Sequence, residues 1–419
     1  MTHFFYVLNT LDHTMLKLCI FMTTFLMINC SNKSATENSN DSLNEIKRFK
    51  ALNDETEPSK DTLPFDKIEY VFLETKSECL IDMIIGVQFR DSLIFILDGS
   101  NNLFVFERNG RYKAKIGNRG QGPQDYLKIS SFFIDDAKQN AVITDDFKNV
   151  FLYYDFNGNF IQKKDMPVDI MKLVNKSSLI GSNRLIFNYI LYNDGAYYNE
   201  NMGYQLFDVN NLKVLDKKSY SPVTAVNIMF PLSVHPITET EKGVNFIMPL
   251  CDTIYSCHND KFQPEYIIEH KQKMAPKDKY ILGDGPDRNT YTSLALKFEK
   301  DGFFTGFNGI YETDNHILLT YICSYYNSCF LANKKKQEGR YYVLGEIDED
   351  SKNIPLFREI IGCYKNTFIC TINMLNLPYY KDVLSNNRNK GMTQFKTIVE
   401  SIEEDDNPVL IIYTLNENY

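Results

Sequence analysis

The sequence contains no tryptophan, although 14% of its residues are Tyr or Phe. Sialidase-type Asp boxes and quinoprotein repeats are normally built with tryptophan, so both are disfavoured. No Gly-x-Ser-x-Gly elbow of the hydrolase type occurs, and no Cys-x-x-Cys pair. Basic clusters are scarce too. The one tight run is Lys334-Lys335-Lys336, and the net charge is −9. Phosphate neutralisation needs clustered Lys and Arg, so nucleic acid is excluded as a partner. Long apolar runs are also missing. The longest near the start, Leu18 to Ile28, has 11 residues, against the roughly 20 that span a bilayer.

That short run has the length of a signal-peptide core. Residues 15–29 read MLKLCIFMTTFLMIN, with one cation, Lys17, ahead of the apolar stretch. Residues 1–14 lack a basic region, so the start is either Met1 or Met15. The run ends at Met27-Ile28-Asn29-Cys30, which is similar to a bacterial lipobox and implies lipidation of Cys30. Residues 30–63 are dense in Ser, Asn, Lys, Glu and Asp. Such a stretch cannot bury a core, so the composition predicts a flexible tether. The expected layout is a signal peptide over 1–29, a tether over 30–63 and one folded domain over 64–419.

What is abundant is β structure. Tyr and Phe suit a pleated, half-buried surface. Residues 91–117 read DSLIFILDGSNNLFVFERNGRYKAKIG, and residues 139–165 read QNAVITDDFKNVFLYYDFNGNFIQKKD. At an offset of 48, Ile94 meets Val142, Asp98 meets Asp146, Phe106 meets Tyr154 and Gly110 meets Gly158. Each unit is an apolar strand, a polar turn, an alternating strand, an Asn-Gly turn and another strand. Asn-Gly between alternating runs is a strong hairpin signal. Degenerate copies begin at Tyr204, Val244 and Ile317. A period in the forties with about four strands per unit predicts an all-β fold, a β-propeller with four-stranded antiparallel blades. The 354 residues from Asp66 hold six blades if residues 275–301 are an insertion, or seven without it. Phe395, Ile398, Val399 and Ile402 fall at helical spacing, which predicts a short helix before Pro408 and a final strand over 408–415.

The pieces IEYVFLET (68–75), IFILDGSNNLFVFERNGRYKAKIG (94–117), the loop GNRGQGPQDY (117–126), CDTIY (251–255) and DDNPVLIIYTLN (405–416) occur in one order. Together they resemble the six-bladed propeller lipoproteins of a group of Gram-negative gut bacteria, distant relatives of the NHL-repeat propellers. That family usually has Gly-Glu where this chain has Gln124-Asp125. The resemblance implies a fold and a cell-envelope location, not a reaction. Residues 31–35 carry no acid just after Cys30, which favours an outer-membrane anchor facing the periplasm over one facing outward.

Strand order predicts where a ligand would sit. Within a blade, strands A to D alternate in direction, so the B–C and D–A loops share one face. The candidates on that face are Asp98, Arg119, Gln121, Gln124, Asp145 and Asp146. The competing explanation is local structure: Asp in tight turns, and glycines that give loop 117–126 its path. The glycine-rich loop lacks the strand–loop–helix context and the Lys-Ser/Thr ending of a phosphate cradle.

Cysteine use leaves two hairpin pairings open, Cys323 with Cys329 and Cys363 with Cys370. Cys251 and Cys257 flank one strand roughly 20 Å apart, too far to pair. Cys257-His258 alone is a weak metal signal, and His316 reads as a strand-edge residue. The sequence therefore favours a binding or scaffolding module for a glycan, peptide or partner protein, with no cofactor. Tyr197-Tyr198 and Tyr325-Tyr326 would be stacking residues, or strand packing. The alternative is a hydrolase, lactonase or lyase over the central funnel, with calcium held by Asp98, Asp145 and Asp146.

Overall fold

The structure is a computed structural model. It describes residues 46–61, 63–166, 174–181, 183–193, 196–219, 235–248, 250–276, 298–323, 326–344, 360–387, 392–417 and 419. Among them the chain is almost all β, arranged as a propeller-like ring of antiparallel four-stranded sheets.

Two short strands come first, β1 (Lys47–Ala51) and β2 (Phe65–Phe72). The next sheet is β3 (Ile84–Phe89), β4 (Leu93–Asp98), β5 (Leu103–Glu107) and β6 (Tyr112–Lys115), paired in that order. It is followed by β7 (Ser131–Asp135), β8 (Asn140–Asp145), β9 (Val150–Asp155) and β10 (Phe160–Asp165). A third consists of β11 (Val174–Ile180), β12 (Arg184–Asn193), β13 (Ala196–Asp208) and β14 (Lys213–Ser219). The run β15 (Ile237–Thr240), β16 (Gly243–Ile247), β17 (Thr253–His258), β18 (Lys261–Glu269) belongs to a nine-stranded sheet. So does β21 (Gly309–Glu312), β22 (His316–Cys323), β23 (Tyr326–Asn333), β24 (Glu338–Val343). Between them in sequence, β19 (Lys273–Met274) and β20 (Phe303–Phe304) form a short parallel pair.

Burial explains why the repeats read as they do. Strands β4 and β8 are buried at every position, because each sheet is covered on both faces by its neighbours. Their sequences, LIFILD and NAVITD, are accordingly near-continuous apolar runs ending in Asp. Each buried Ile or Phe contributes about 1.5–3 kcal/mol. The fourth strand β10, FIQKKD, lies at a sheet edge, is polar and has no buried residue, whereas β18 and β24 bury Tyr266, Ile268, Tyr341 and Tyr342. The Asn-Gly turns join third and fourth strands as expected, with φ of 91° at Gly110 and 85° at Gly158. Gly158 also lies against the neighbouring sheet. A Cβ there would sit 2.2 Å from the Lys115 carbonyl oxygen.

The strands also correct the repeat alignment. β4 ends on Asp98 and β8 on Asp145, so Asp98 corresponds to Asp145 rather than Asp146. β9 is one residue longer than β5, which restores the offset at the Asn-Gly turns.

The ring closes by joining distant parts of the chain. β25 (Ile360–Tyr364), β26 (Thr367–Ile372) and β27 (Val409–Leu415) take β2 as their fourth strand. β2 pairs antiparallel with β27 from Phe65↔Leu415 to Phe72↔Val409. Two helices, α1 (Leu377–Asn386) and α2 (Thr393–Ser401), lie between β26 and β27. Leu377, Tyr380, Leu384, Phe395 and Val399 bury against the adjoining sheets. The expected helix is α2, with Ile402 as its C-cap; it stops well before Pro408. α1 was not expected.

The composition of residues 30–63 predicts a tether, but residues 46–61 belong to the fold. β1 lies between β18 and β24, parallel to both, and joins their two runs into one sheet. Phe49 is wholly buried and packs edge-on against Tyr266. Downstream, Asn53 exchanges two hydrogen bonds with the Tyr341 backbone, at 2.9 and 2.7 Å. The Glu55 carboxylate accepts from the backbone N–H of Lys271 (3.2 Å) and Gln272 (2.5 Å).

Candidate functional site

The first strands of successive runs meet around an axis. Gln88 on β3 donates through Nε2 to the Phe132 carbonyl at the head of β7 (3.3 Å). Ser131 on β7 and Ser177 on β11 share a hydroxyl–hydroxyl bond of 2.7 Å. Ser178 donates to Glu239 on β15 (2.8 Å), and the Glu312 N–H on β21 donates to Thr238 Oγ1 (3.1 Å). The Cys363 thiol on β25 donates to the Glu312 carbonyl (3.4 Å), and Gly362 lies against Val87 of β3. These strands enclose a cavity of about 1420 Å³. Its walls mix the hydroxyls of Ser131, Ser177 and Thr238 with charged side chains of both signs, among them Arg90, Glu239 and Glu312. Burial pushes the Cys363 thiol up to about 12, so it stays protonated.

The loops confirm the expected face assignment. Asn101, in the β4–β5 turn, bonds both ways with the Ile129 backbone (3.1 and 2.7 Å) and accepts from Tyr126. Asp145 accepts from the Leu127 N–H (2.7 Å). B–C and D–A loops therefore interlock at one mouth of the cavity. The residues expected there divide into two groups. Arg119 and Gln121 line the mouth and are exposed. Asp98 is wholly buried and accepts from the Asn102 N–H (2.7 Å) and side chain. Asp145 also accepts from the N–H groups of Phe147 (3.0 Å) and Lys148 (3.1 Å). Asp146 accepts from the Ser130 hydroxyl. Gln124 is exposed outside the cavity lining, and its carbonyl accepts from Tyr154 OH (2.5 Å). These four residues build loops, as turn chemistry allows. Among the described residues no group of three His, Cys, Asp or Glu is placed to hold a metal ion.

The other mouth is formed by the A–B turns. Arg90 lies 2.6 Å from Asp136 and 3.3 Å from Glu239. Lys365 donates to Asp91 (2.5 Å), which also accepts from Tyr364 OH (2.7 Å). Along the wall towards β1, Glu312 is buried, and its carboxyl meets Lys334 Nζ at 2.6 Å and Asn245 Nδ2 at 2.5 Å. Burial raises its pKa despite the ammonium. His258 Nε2 lies 2.8 Å from Glu265, which Lys47 approaches at 3.5 Å.

The family described as a domain of unknown function (DUF4934) matches residues 43–414, the ring together with β1. The chain belongs to this family. No curated protein matches the sequence. The fold is similar to that of a Bacteroides fragilis protein named only as exported, with a TM-score of 0.66 at 18% identity. That similarity covers 89% of this chain and 100% of the other. A DUF4221-family protein from Bacteroides vulgatus aligns with a TM-score of 0.44 at 9% identity, over 86% of this chain and 99% of its own.

For this family member, sequence reasoning missed Lys148, Lys128 and Phe147. Lys148 directs its ammonium at the carbonyls of Gly120 (3.1 Å), Gly122 (2.9 Å) and Asp125 (2.6 Å). The glycine-rich loop 117–126 is thus wrapped around a lysine from the next sheet. Its sequence shows the glycines but not what they approach. Phe147 was legible: an apolar residue inside a polar turn has no packing reason to be there.

The cysteine pairings fail on register. Cys363 lies opposite Phe368 and Cys370 opposite Ile360, and both thiols are free. Cys323 lies opposite Tyr326 and Cys329 opposite Thr320, and Cys329 is free. Cys79, Cys251 and Cys257 are free as well. His316 opens β22 but is fully buried. Cys30, the side chains of Tyr197, Tyr198 and Tyr326, Tyr325, and most of 275–301 lie outside the described residues. No helix among the described residues is long and apolar enough to cross a membrane.

Proposed function

We propose that this chain is an exported, lipid-anchored, six-bladed propeller that binds a ligand in its axial cavity and has no reaction of its own. The observation that carries the binding role is the open cavity with exposed Arg119 and Gln121 at one mouth. Large concave sites with a few placed polar groups are the usual ligand sites of such folds. The blade count is supported by the strand succession. The four-strand runs starting at β3, β7, β11, β15, β21 and β25 follow one another, and β25 returns to β3. The nine-stranded sheet is two blades with β1 threaded between them. Anchoring through Cys30 to the outer membrane is supported by residues 15–30, and by the fold shared with an exported protein.

The ligand is a peptide, a glycan or a partner protein. A thermal-shift screen of residues 31–419 against peptides, glycans, lactones and divalent ions tests the binding role. A ligand at 100 times its dissociation constant stabilises the fold by about 2.7 kcal/mol. An Arg119→Ala and Gln121→Ala double variant should lose that shift. A calcium shift that Asp145→Ala abolishes would replace binding with metal-dependent catalysis. Cys30→Ala should release the protein from the membrane fraction; unchanged partition would remove the anchor.

A further inference from the structure

We propose that the mouth formed by the B–C and D–A loops docks an extended acidic and apolar peptide segment of a partner protein. This rests on the ligand-binding role proposed above and adds the ligand's chemistry.

The two mouths differ in charge. Cations at the A–B mouth are largely spent. Arg90 sits between Asp136 and Glu239, Lys365 is on Asp91, and Glu241 and Asp314 also line that end. At the opposite mouth the charged lining residues are Arg119 and Lys128. Both are exposed, and among the described residues neither pairs with a carboxylate. Of the acids nearby, Asp98 and Asp145 face backbone N–H groups, Asp146 faces Ser130, Asp125 accepts from the Gly122 N–H, and the exposed Asp82 accepts from Ser100; Asp82 and Asp125 are not part of the cavity lining. A ligand arriving there therefore meets positive groups, although the whole chain is acidic.

The apolar residues at this mouth point to a peptide. Ile85 is 48% exposed and Phe147 61%, and both line the cavity. Met83 is 41% exposed and packs beside Gly99 of the same rim. Phe, Met and Arg are the residues enriched where proteins meet. Ile and Met side chains match apolar side chains of a peptide. A sugar ring would need an open aromatic face. Among the described residues the exposed ring at this rim is Phe147, and it has the Lys128 ammonium over one face, 5.6 Å from the centroid. The Gln121 amide offers both a donor and an acceptor to a peptide group.

The test is to pan a phage-displayed random dodecapeptide library on the full-length protein. The selected peptides are then measured by fluorescence anisotropy. Enriched peptides should place Asp or Glu beside Leu, Ile or Phe. Arg119→Ala with Lys128→Ala should weaken binding about tenfold or more, and raised salt should weaken it further. Ile85→Ser with Phe147→Ser should have a similar effect. Lys242→Ala with Lys365→Ala, at the other mouth, should change it less than about twofold. All six positions are at the surface, so unchanged melting temperatures verify folding. Enriched peptides without acids, or binding indifferent to the first two double variants, would overturn the proposal and leave cavity binding intact. Binding of polygalacturonate with the same Arg119 and Lys128 dependence, without any enriched peptide, would also overturn it in favour of a glycan. Failure of every peptide and every compound in the thermal screen would overturn both.

Discussion

Lys148 fixes a loop without any carboxylate. Three carbonyl oxygens converge on its ammonium, and they belong to the loop that carries Arg119 and Gln121. Hydrogen bonds to a charged group are worth about 1.5–3 kcal/mol, and unpaired carbonyls add a penalty. Lys148→Met keeps the aliphatic stem and should cost about 2–3 kcal/mol in urea unfolding. It should also raise hydrogen exchange over residues 117–126. His316 makes a second prediction at this scale. Burial, and then Lys334 and Lys336 nearby, lower its pKa to about 4. The unfolded chain protonates the imidazole near 6.5, so between those values the unfolded state holds the extra proton. Stability therefore falls as pH drops from about 6.5 to about 4, by on the order of 3 kcal/mol. His316→Leu should flatten that limb in urea titrations at several pH values. Glu312 shifts in the opposite sense but is present in both proteins, so it cancels in the difference.

At the scale of elements, β1 is the unexpected part. A charged stretch of some thirty residues hides a five-residue strand, because KRFKA buries one side chain, Phe49, and exposes most of the rest. Its partners are two sheet edges that sequence cannot bring together. α1 left a clearer trace: Pro378 in its first turn, and Leu377, Tyr380 and Leu384 at helical spacing. The apolar runs of β4, β5, β8 and β9 were the most legible elements, since strands covered on both faces must be apolar throughout. The candidate site was half legible. Strand alternation placed the B–C and D–A loops at one mouth, yet Asp98 and Asp145 could not be told from ligand contacts until their N–H donors were seen. Phe49→Ala should cost about 3–5 kcal/mol if β1 folds with the ring. Exchange protection would then fall at Glu269 and Gly339 together. Loss at β1 alone, with the melting temperature unchanged, would show the strand to be an independent strap.

For the whole molecule the controlling feature is the pairing of β2 with β27. It holds the ring through residues 337 to 350 positions apart, from Phe72↔Val409 to Phe65↔Leu415. A chain ending at residue 408 lacks β27, leaving both β2 and β26 with open edges. It should unfold at lower urea concentration, with a broader transition, and bind an amyloid dye where the full chain does not.

That same pairing also sets a clock. Synthesis delivers β2 early and β25, β26 and β27 near the end, so for most of translation β2 has no partner strand. The intervening sheets can form hairpin by hairpin, but the circle is sealed by the pairing that spans the most residues among the described strands, and so carries the largest loop-closure cost among them. The nascent protein is thus an open arc that becomes a ring in one late event, and whatever handles it before then meets a chain with its termini still apart.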